Sequence, residues 1–182
     1  GNLRKDFDNF PWVKNEKFLE KWKKGMTGYP IVDAGMRELN ETGWMHNRVR
    51  MIVASFLVKH LRIHWMEGEK HFKNCLVDYN EASNVAQWQW VAGCGADAAP
   101  YFRIFNPILQ GEKFDKEGLY VKKWVPEISK VPEKFTHKPW EMELKYQQAI
   151  KTIIGKNYPK PIVIHEKARA SALEAFQTLK KK

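Results

Sequence analysis

Trp44-Met45-His46-Asn47-Arg48-Val49-Arg50-Met51, running on through Ile52-Val53-Ala54-Ser55-Phe56-Leu57-Val58-Lys59-His60-Leu61-Arg62-Ile63-His64, is the stretch that decides the fold. At about 100° per residue its apolar side chains cover more than one face, so residues 44–64 predict a central helix packed on most sides. Upstream, residues 30–41 read as a capped helix, with Pro30 at the first position, Asp33 in the first turn and Gly43 just past the end. Downstream, 67–77 repeats the helical pattern through Phe72, Cys75 and Leu76, and Asp78-Tyr79-Asn80 breaks it. A further helix opens near Glu81, carries Trp88-Gln89-Trp90 and ends at Gly93 and Gly95. Residues 96–111, rich in Pro, Gly and Asn, read as a structured loop. Helices are also expected over 116–124, 139–155 and 171–180. Only 161–165 alternates with period two, so the fold class is all-α, without internal repeats.

The 182 residues, 43% hydrophobic and 29% charged, suit one folded domain and exclude a disordered chain. The longest apolar run, from Met51 to Val58, lies between Arg50 and Lys59 and is far shorter than the roughly 20 residues of a membrane span. With no apolar leader pattern, a cytoplasmic location is expected. Cys75 and Cys94 lack zinc-site spacing and are expected to be free, buried thiols. A net charge of +10 favours an anionic partner, although a well-solvated basic surface fits the charge equally. Eight Trp, six Tyr and ten Phe suit either a large core or a site that stacks planar rings.

Asn47, Arg48, Arg50 and Met51 share one arc of the central helix, polar and cationic on an otherwise apolar element. Two guanidiniums in a core need a partner, so a carboxylate or a ligand must lie opposite. Residues 78–84 are the natural source of that carboxylate, and a structural salt bridge and a ligand pocket both satisfy the spacing. His60 and His64 stand at i and i+4, but no third ligand or HExxH pattern accompanies them, so they read as exposed helix histidines rather than a metal site. No Ser-His-Asp order, phosphate-binding loop or GxGxxG supports hydrolase or nucleotide-hydrolysing chemistry. Lys180-Lys181-Lys182 reads as a solvated helix end.

Several segments together carry a family likeness: Thr27-Gly28-Tyr29-Pro30-Ile31-Val32-Asp33-Ala34, Gly43 to Met51, Trp88-Gln89-Trp90, Asp97-Ala98-Ala99-Pro100-Tyr101-Phe102-Arg103-Ile104-Phe105-Asn106-Pro107 and Gln110-Gly111-Glu112-Lys113-Phe114-Asp115. From about Trp12 onward the chain resembles the flavin-binding helical domain of the DNA photolyase and cryptochrome family. It is most similar to the class that repairs cyclobutane pyrimidine dimers. The resemblance implies the C-terminal part of that domain, without the N-terminal antenna domain and the first helices. It also implies FAD as cofactor and DNA containing pyrimidine dimers as partner. The parent would be a light-driven carbon–carbon lyase, in which excited reduced FAD lends an electron to the dimer, the ring opens and the electron returns.

Residue by residue, the resemblance implies that Asn84 faces flavin atom N5, where an aspartate would resemble plant cryptochromes instead. Asp78 and Arg50 would form a buried ion pair against the isoalloxazine edge. Asn47 and Asn80 would make further flavin contacts, although the family often has aspartate where Asn80 stands. Arg48, Met51 and Trp90 would line the cavity for the flipped dimer, with Trp90 stacking on it. Trp88, Trp65 and Trp12 would pass an electron from the surface to the flavin, with Trp88 nearest to it. Trp44, Trp124 and Trp140 are expected to fill a core, and Trp22 has no assigned role. A cryptochrome-type photoreceptor would use the same flavin and tryptophans, but Asn84, Arg48, Met51 and Trp90 argue against it. The other alternative is a helical remnant that binds no flavin, is inactive and colourless or weakly yellow, and self-associates through its exposed face.

Overall fold

The computed structural model describes residues 10–93 and 103–180. Among these residues the protein is helical and forms no strand, only an isolated bridge between Ile154 and Tyr158. Residues 94–102, with Cys94 and much of the Asp97 to Pro107 motif, lie outside the described residues, as do Lys181 and Lys182.

Helix α1, Glu16–Lys24, has no counterpart among the expected helices. Its signals are nonetheless ordinary: the Asn15 side chain accepts from the Phe18 amide at 2.9 Å, Glu16 sits in the first turn, and Gly25 ends the helix in the left-handed region at φ 69°. Helix α2, Pro30–Thr42, starts and stops where its Pro and Gly punctuation places it. Its Asp33 does not sit at a solvated helix start but is fully buried. The carboxylate accepts from the Thr27 amide at 2.8 Å, the Thr27 hydroxyl at 2.6 Å, the Gly28 amide at 3.0 Å and the Tyr158 hydroxyl. Burial pushes this carboxyl above its ordinary range while those donors pull it back. Gly28 is required there, because a Cβ would meet the Lys160 carbonyl oxygen at 2.5 Å and φ is +85°. The Thr27-Gly28-Tyr29-Pro30 motif is thus a knot tying the start of α2 to the chain near Tyr158.

The central element is shorter than expected at both ends. Helix α3, Asn47–Ser55, starts after His46, whose ring accepts from the Arg48 amide, and a π-helical turn, Phe56–His60, continues it. The turn closes with the Leu61 amide on the Phe56 carbonyl at 3.1 Å, and Arg62 takes φ 51°. His64 then caps helix α4, Trp65–Cys75, by accepting from the Met66 amide, so the helix cannot run through 64. From Ile52 to Leu61 every side chain of the central element is buried, as the all-round apolar pattern requires.

Helix α5, Glu81–Ala92, is capped by Asn80 and stopped by Gly93, as expected. Helix α6, Pro107–Phe114, falls partly within the stretch expected to be a loop, because the Asn106 side chain accepts from the Ile108 and Leu109 amides and Pro107 opens the first turn. Helix α7 is Leu119–Trp124. The helix expected over 139–155 reduces to a 3-10 turn, Pro139–Glu141, and α8, Leu144–Ala149, before Lys151 takes φ 58°. Residues 161–164 form a bent strap rather than a strand, with the Ile162 amide donating to the Thr27 carbonyl and the Val163 carbonyl accepting from the Tyr29 hydroxyl at 2.8 Å. Helix α9, His165–Lys180, starts six residues earlier than expected.

Trp22 has a clear place: it is fully buried, donates from Nε1 to the Val53 carbonyl at 3.0 Å, and packs edge-on against Trp88 and parallel to Phe72. Trp124 and Trp140 pack partly buried against the core, but Trp44 is 47% exposed, contrary to expectation. Cys75 is free and half-exposed rather than buried. His60, expected at the surface, is buried with its Nε2 2.8 Å from His165 Nδ1, joining the π turn to α9. No helix among the described residues is long and apolar enough to cross a membrane.

Candidate functional site

The cationic arc and the 78–84 break do meet. Arg50 Nε donates to the Met45 carbonyl at 2.8 Å, and its Nη2 reaches both Asp78 carboxylate oxygens at 3.2 and 3.3 Å. The pair is not buried: the Asp78 side chain is 52% exposed. Such a pair is worth at most about 1 kcal/mol to the fold, so its use lies in fixing the guanidinium rather than in stability.

Asn84 is buried in the first turn of α5. Its Nδ2 lies 3.5 Å from Glu69 Oε1 on α4, which also accepts from the Tyr79 hydroxyl at 2.6 Å. The carboxylate acceptor holds the phenol proton of Tyr79, up to about 12. The Glu69 carboxylate, as the acceptor of the amide N–H, fixes the Nδ2 end of Asn84 toward α4. Neither Glu69 nor Tyr79 stands out in the sequence; both are ordinary polar residues until α4 and α5 pack together.

Asn47 is exposed at the first position of α3. Asn80 is exposed with its Oδ1 taken by the Ser83 amide at 3.0 Å. Aspartate caps a helix as well as asparagine does, so the substitution is neutral for α5, and only Nδ2 remains for a ligand.

Between the cationic arc of α3 and the middle of α5 the described residues enclose little space. The cavity lined by Arg50, Met51, Ala54, Phe72, Gln87, Trp88 and Val91 measures about 10 Å³. Small-molecule sites run to hundreds of Å³. The chain presents a face with polar groups fixed on it, rather than an enclosed pocket. One feature of that face fits a ligand: Trp88 Nε1 is buried without a hydrogen-bond partner among the described residues.

Of the three tryptophans of the expected relay, Trp88 packs on α4, Trp65 opens that helix, and Trp65 and Trp12 both pack near the His64 ring. Trp88 is buried against Phe72, with ring centroids 4.9 Å apart. Its indole rests on α4 at Gly68, where a Cβ would meet Trp88 Cη2 at 2.2 Å. Trp65 begins the same helix one turn earlier and is buried, its ring 5.6 Å from His64; His64 in turn is 5.0 Å from the half-buried Trp12. Gly68 and His64 are the residues that the spacing of tryptophans alone does not reveal.

On the other flank, exposed Arg48 donates to Gln110 on α6 at 3.2 Å, and half-buried Met51 lies one turn on. Trp90 on α5 is 37% exposed. Beside it, buried Lys59 donates to the Arg103 carbonyl at 2.7 Å and shares a 40 Å³ cavity with Trp90, Ser55, Val91, Arg103 and Phe105. Burial pushes Lys59 down to about 8. Lys59 therefore pins the 103–105 segment beneath Trp90. Among the described residues no three His, Cys, Asp or Glu side chains gather where a metal ion could sit.

Comparison with known proteins supplies what the face alone does not. Residues 1–178 match the family model described as the FAD binding domain of DNA photolyase. The Agrobacterium fabrum protein named deoxyribodipyrimidine photo-lyase is 58% identical over 180 residues, 99% of this chain and 38% of that protein. A bacterial class III photolyase from Agrobacterium tumefaciens superposes with a TM-score of 0.96 at 58% identity, covering 100% of this chain and 38% of that one. A Synechocystis sp. PCC6803 cryptochrome follows the same path with a TM-score of 0.88 at 41% identity, over 92% of this chain and 34% of its own. The chain thus spans little more than a third of the length of the relatives it matches. Matched along nearly its whole length in sequence and in fold, it belongs to the FAD-binding domain family of DNA photolyase.

Proposed function

We propose that this chain is the C-terminal part of a photolyase FAD domain and supplies one wall of the flavin site and part of the lesion-facing surface of a deoxyribodipyrimidine photo-lyase. One observation carries the reading: α3 and the start of α5 adjoin, with Arg50 locked between the Met45 carbonyl and Asp78, and the Asn84 amide held through its Nδ2 by Glu69. When bound, reduced FAD supplies the excited electron that opens the cyclobutane ring and takes it back.

The chain's own residues do the rest. Arg50, fixed at both ends of its guanidinium, offsets negative charge at the ring edge. With FAD bound, Asn84 would face N5 with an amide that neither gains nor loses a proton, and Asn47 and the Nδ2 of Asn80 would make further polar contacts. Trp90, half out of the surface, stacks on the extruded pyrimidine dimer, with Met51 beside it and Arg48 held against α6 by Gln110. Trp12, Trp65 and Trp88 restore the reduced state of the cofactor from the surface, in that order. Basic side chains around the face hold DNA phosphates, an affinity that falls steeply with salt.

The test is a chimera in which residues 1–182 replace the matching segment of the Agrobacterium fabrum relative. Loaded with reduced FAD and illuminated with an oligonucleotide carrying a thymine dimer, it is expected to restore intact thymines. A chimera that holds FAD and photoreduces but leaves the dimer intact overturns the lyase reading and favours a photoreceptor of the cryptochrome type.

A further inference from the structure

On the side of the molecule where Trp12 lies, a cleft of about 520 Å³ opens between residues 13–18, the end of the π turn, the 161–164 strap and the first turns of α9. Its walls are largely apolar, with Leu61, Val163 and Phe18 among them, while Arg62 and Lys167 supply charge and no Asp or Glu lines it. Neither the Arg62 guanidinium nor the Lys167 ammonium has a hydrogen-bond or ion-pair partner among the described residues, and Arg62 holds a left-handed backbone, at φ 51°, that strains a residue with a side chain. Unpaired cations over apolar walls fit an anion with a flat, apolar body.

The position of the cleft relative to the tryptophans gives the anion a task. Val13, a wall of the cleft, follows Trp12 directly in the chain and donates its amide to the Arg62 carbonyl at 2.7 Å; two residues beyond Arg62, His64 packs on the Trp12 ring. Whenever Trp12 passes an electron inward it is left one electron short, and the structure places a cationic, apolar-walled cleft beside it. We propose that this cleft seats a small planar reducing anion of the catecholate or enediolate class, which returns the missing electron to Trp12. The proposal rests on the relay reading given under Proposed function.

The step balances without a further oxidant. The donor gives one electron to the oxidised indole, restoring neutral Trp12, and one proton to solvent. Two donor radicals then disproportionate to one oxidised and one reduced donor molecule.

Caffeate, a catechol carboxylate, is the probe. Titrated into this chain and followed by amide chemical shifts, it is expected to saturate at Val13, Arg62 and Lys167, and the double variant Arg62→Gln, Lys167→Gln weakens it roughly tenfold or more. Both side chains reach solvent, so the variant is expected to keep the melting temperature of the parent chain. In the flavin-loaded chimera, recovery of the tryptophan radical after a light flash is expected to saturate with caffeate and to become linear in the double variant. Binding that ignores the two substitutions, or recovery linear in caffeate in both proteins, overturns the cleft as a donor site. A Trp12→Phe chimera separates the two readings: if its flash-induced radical is unchanged, the relay itself is wrong and the donor role falls with it, whatever caffeate does at Arg62 and Lys167.

Discussion

Asn84 illustrates how much a single side chain owes to residues far from it. Its amide is oriented by Glu69 on α4, which Tyr79 also holds. Replacing Asn84 with Asp sets a second carboxylate about 3.5 Å from Glu69. One of the two pKa values then rises, because like charges so close cannot both ionise freely. We expect Asn84→Asp to lose about 1–3 kcal/mol at pH 8 and to recover much of it near pH 5, where a proton is shared. Urea denaturation at the two pH values checks this, and a loss independent of pH would show that Asn84 does not face Glu69. Little of this was legible in the sequence: helical spacing set Arg50 opposite the 78–84 break, but Asn84 carries meaning only through family likeness. Glu69, Tyr79 and Lys59 act through partners brought close by packing, and local spacing holds no trace of that.

At the scale of elements, the long apolar run 44–64 announced a central helix but hid its ends. Both flanking caps are imidazoles, His46 before α3 and His64 before α4, and histidine is not among the residues that ordinarily mark a helix start. Helices α1 and α6 had the ordinary Asn marker and were legible in principle. The π turn was not, and the contact that accompanies it, His60 with His165 in α9, joins residues 105 positions apart. This joint gives the protein an acid-sensitive seam. Burial, with His165 and Lys59 beside it, pushes His60 from 6.5 down to about 3. Phe56 stacks on its other face, and His165 is lowered as well. Below about pH 6.5 the unfolded chain takes up a proton that the folded chain refuses, so stability is full above that value. It then falls toward pH 3 by about 1.4 kcal/mol per pH unit for this group. Denaturant melts between pH 7 and 4 should show that slope, and His60→Phe should remove the share owed to His60. An identical slope in the variant would place the acid sensitivity elsewhere.

For the whole molecule, the link between Asp33 and Tyr158 spans 125 residues and fastens the first half of the chain to the second. Tyr158→Phe deletes one donor to a fully buried carboxylate and is expected to cost about 1–3 kcal/mol, seen as a lower melting temperature in a single transition. A two-step melt would mean that the halves fold separately. The all-α class and the buried central element were readable from periodicity and punctuation. The arrangement of the face was not, and the sequence pointed to a hollow where α3 and α5 form an open wall with a 10 Å³ gap. The central claim is that this wall, with Arg50, Asp78 and Asn84 on it, meets the flavin. Amide and side-chain chemical shifts of the chain titrated with FAD test it most directly, because even weak binding registers. The expected result is a set of perturbations confined to Asn47, Arg50, Asp78, Asn84 and the Trp88 indole; shifts absent there, or gathered instead around Tyr29 and Trp140, would contradict the account.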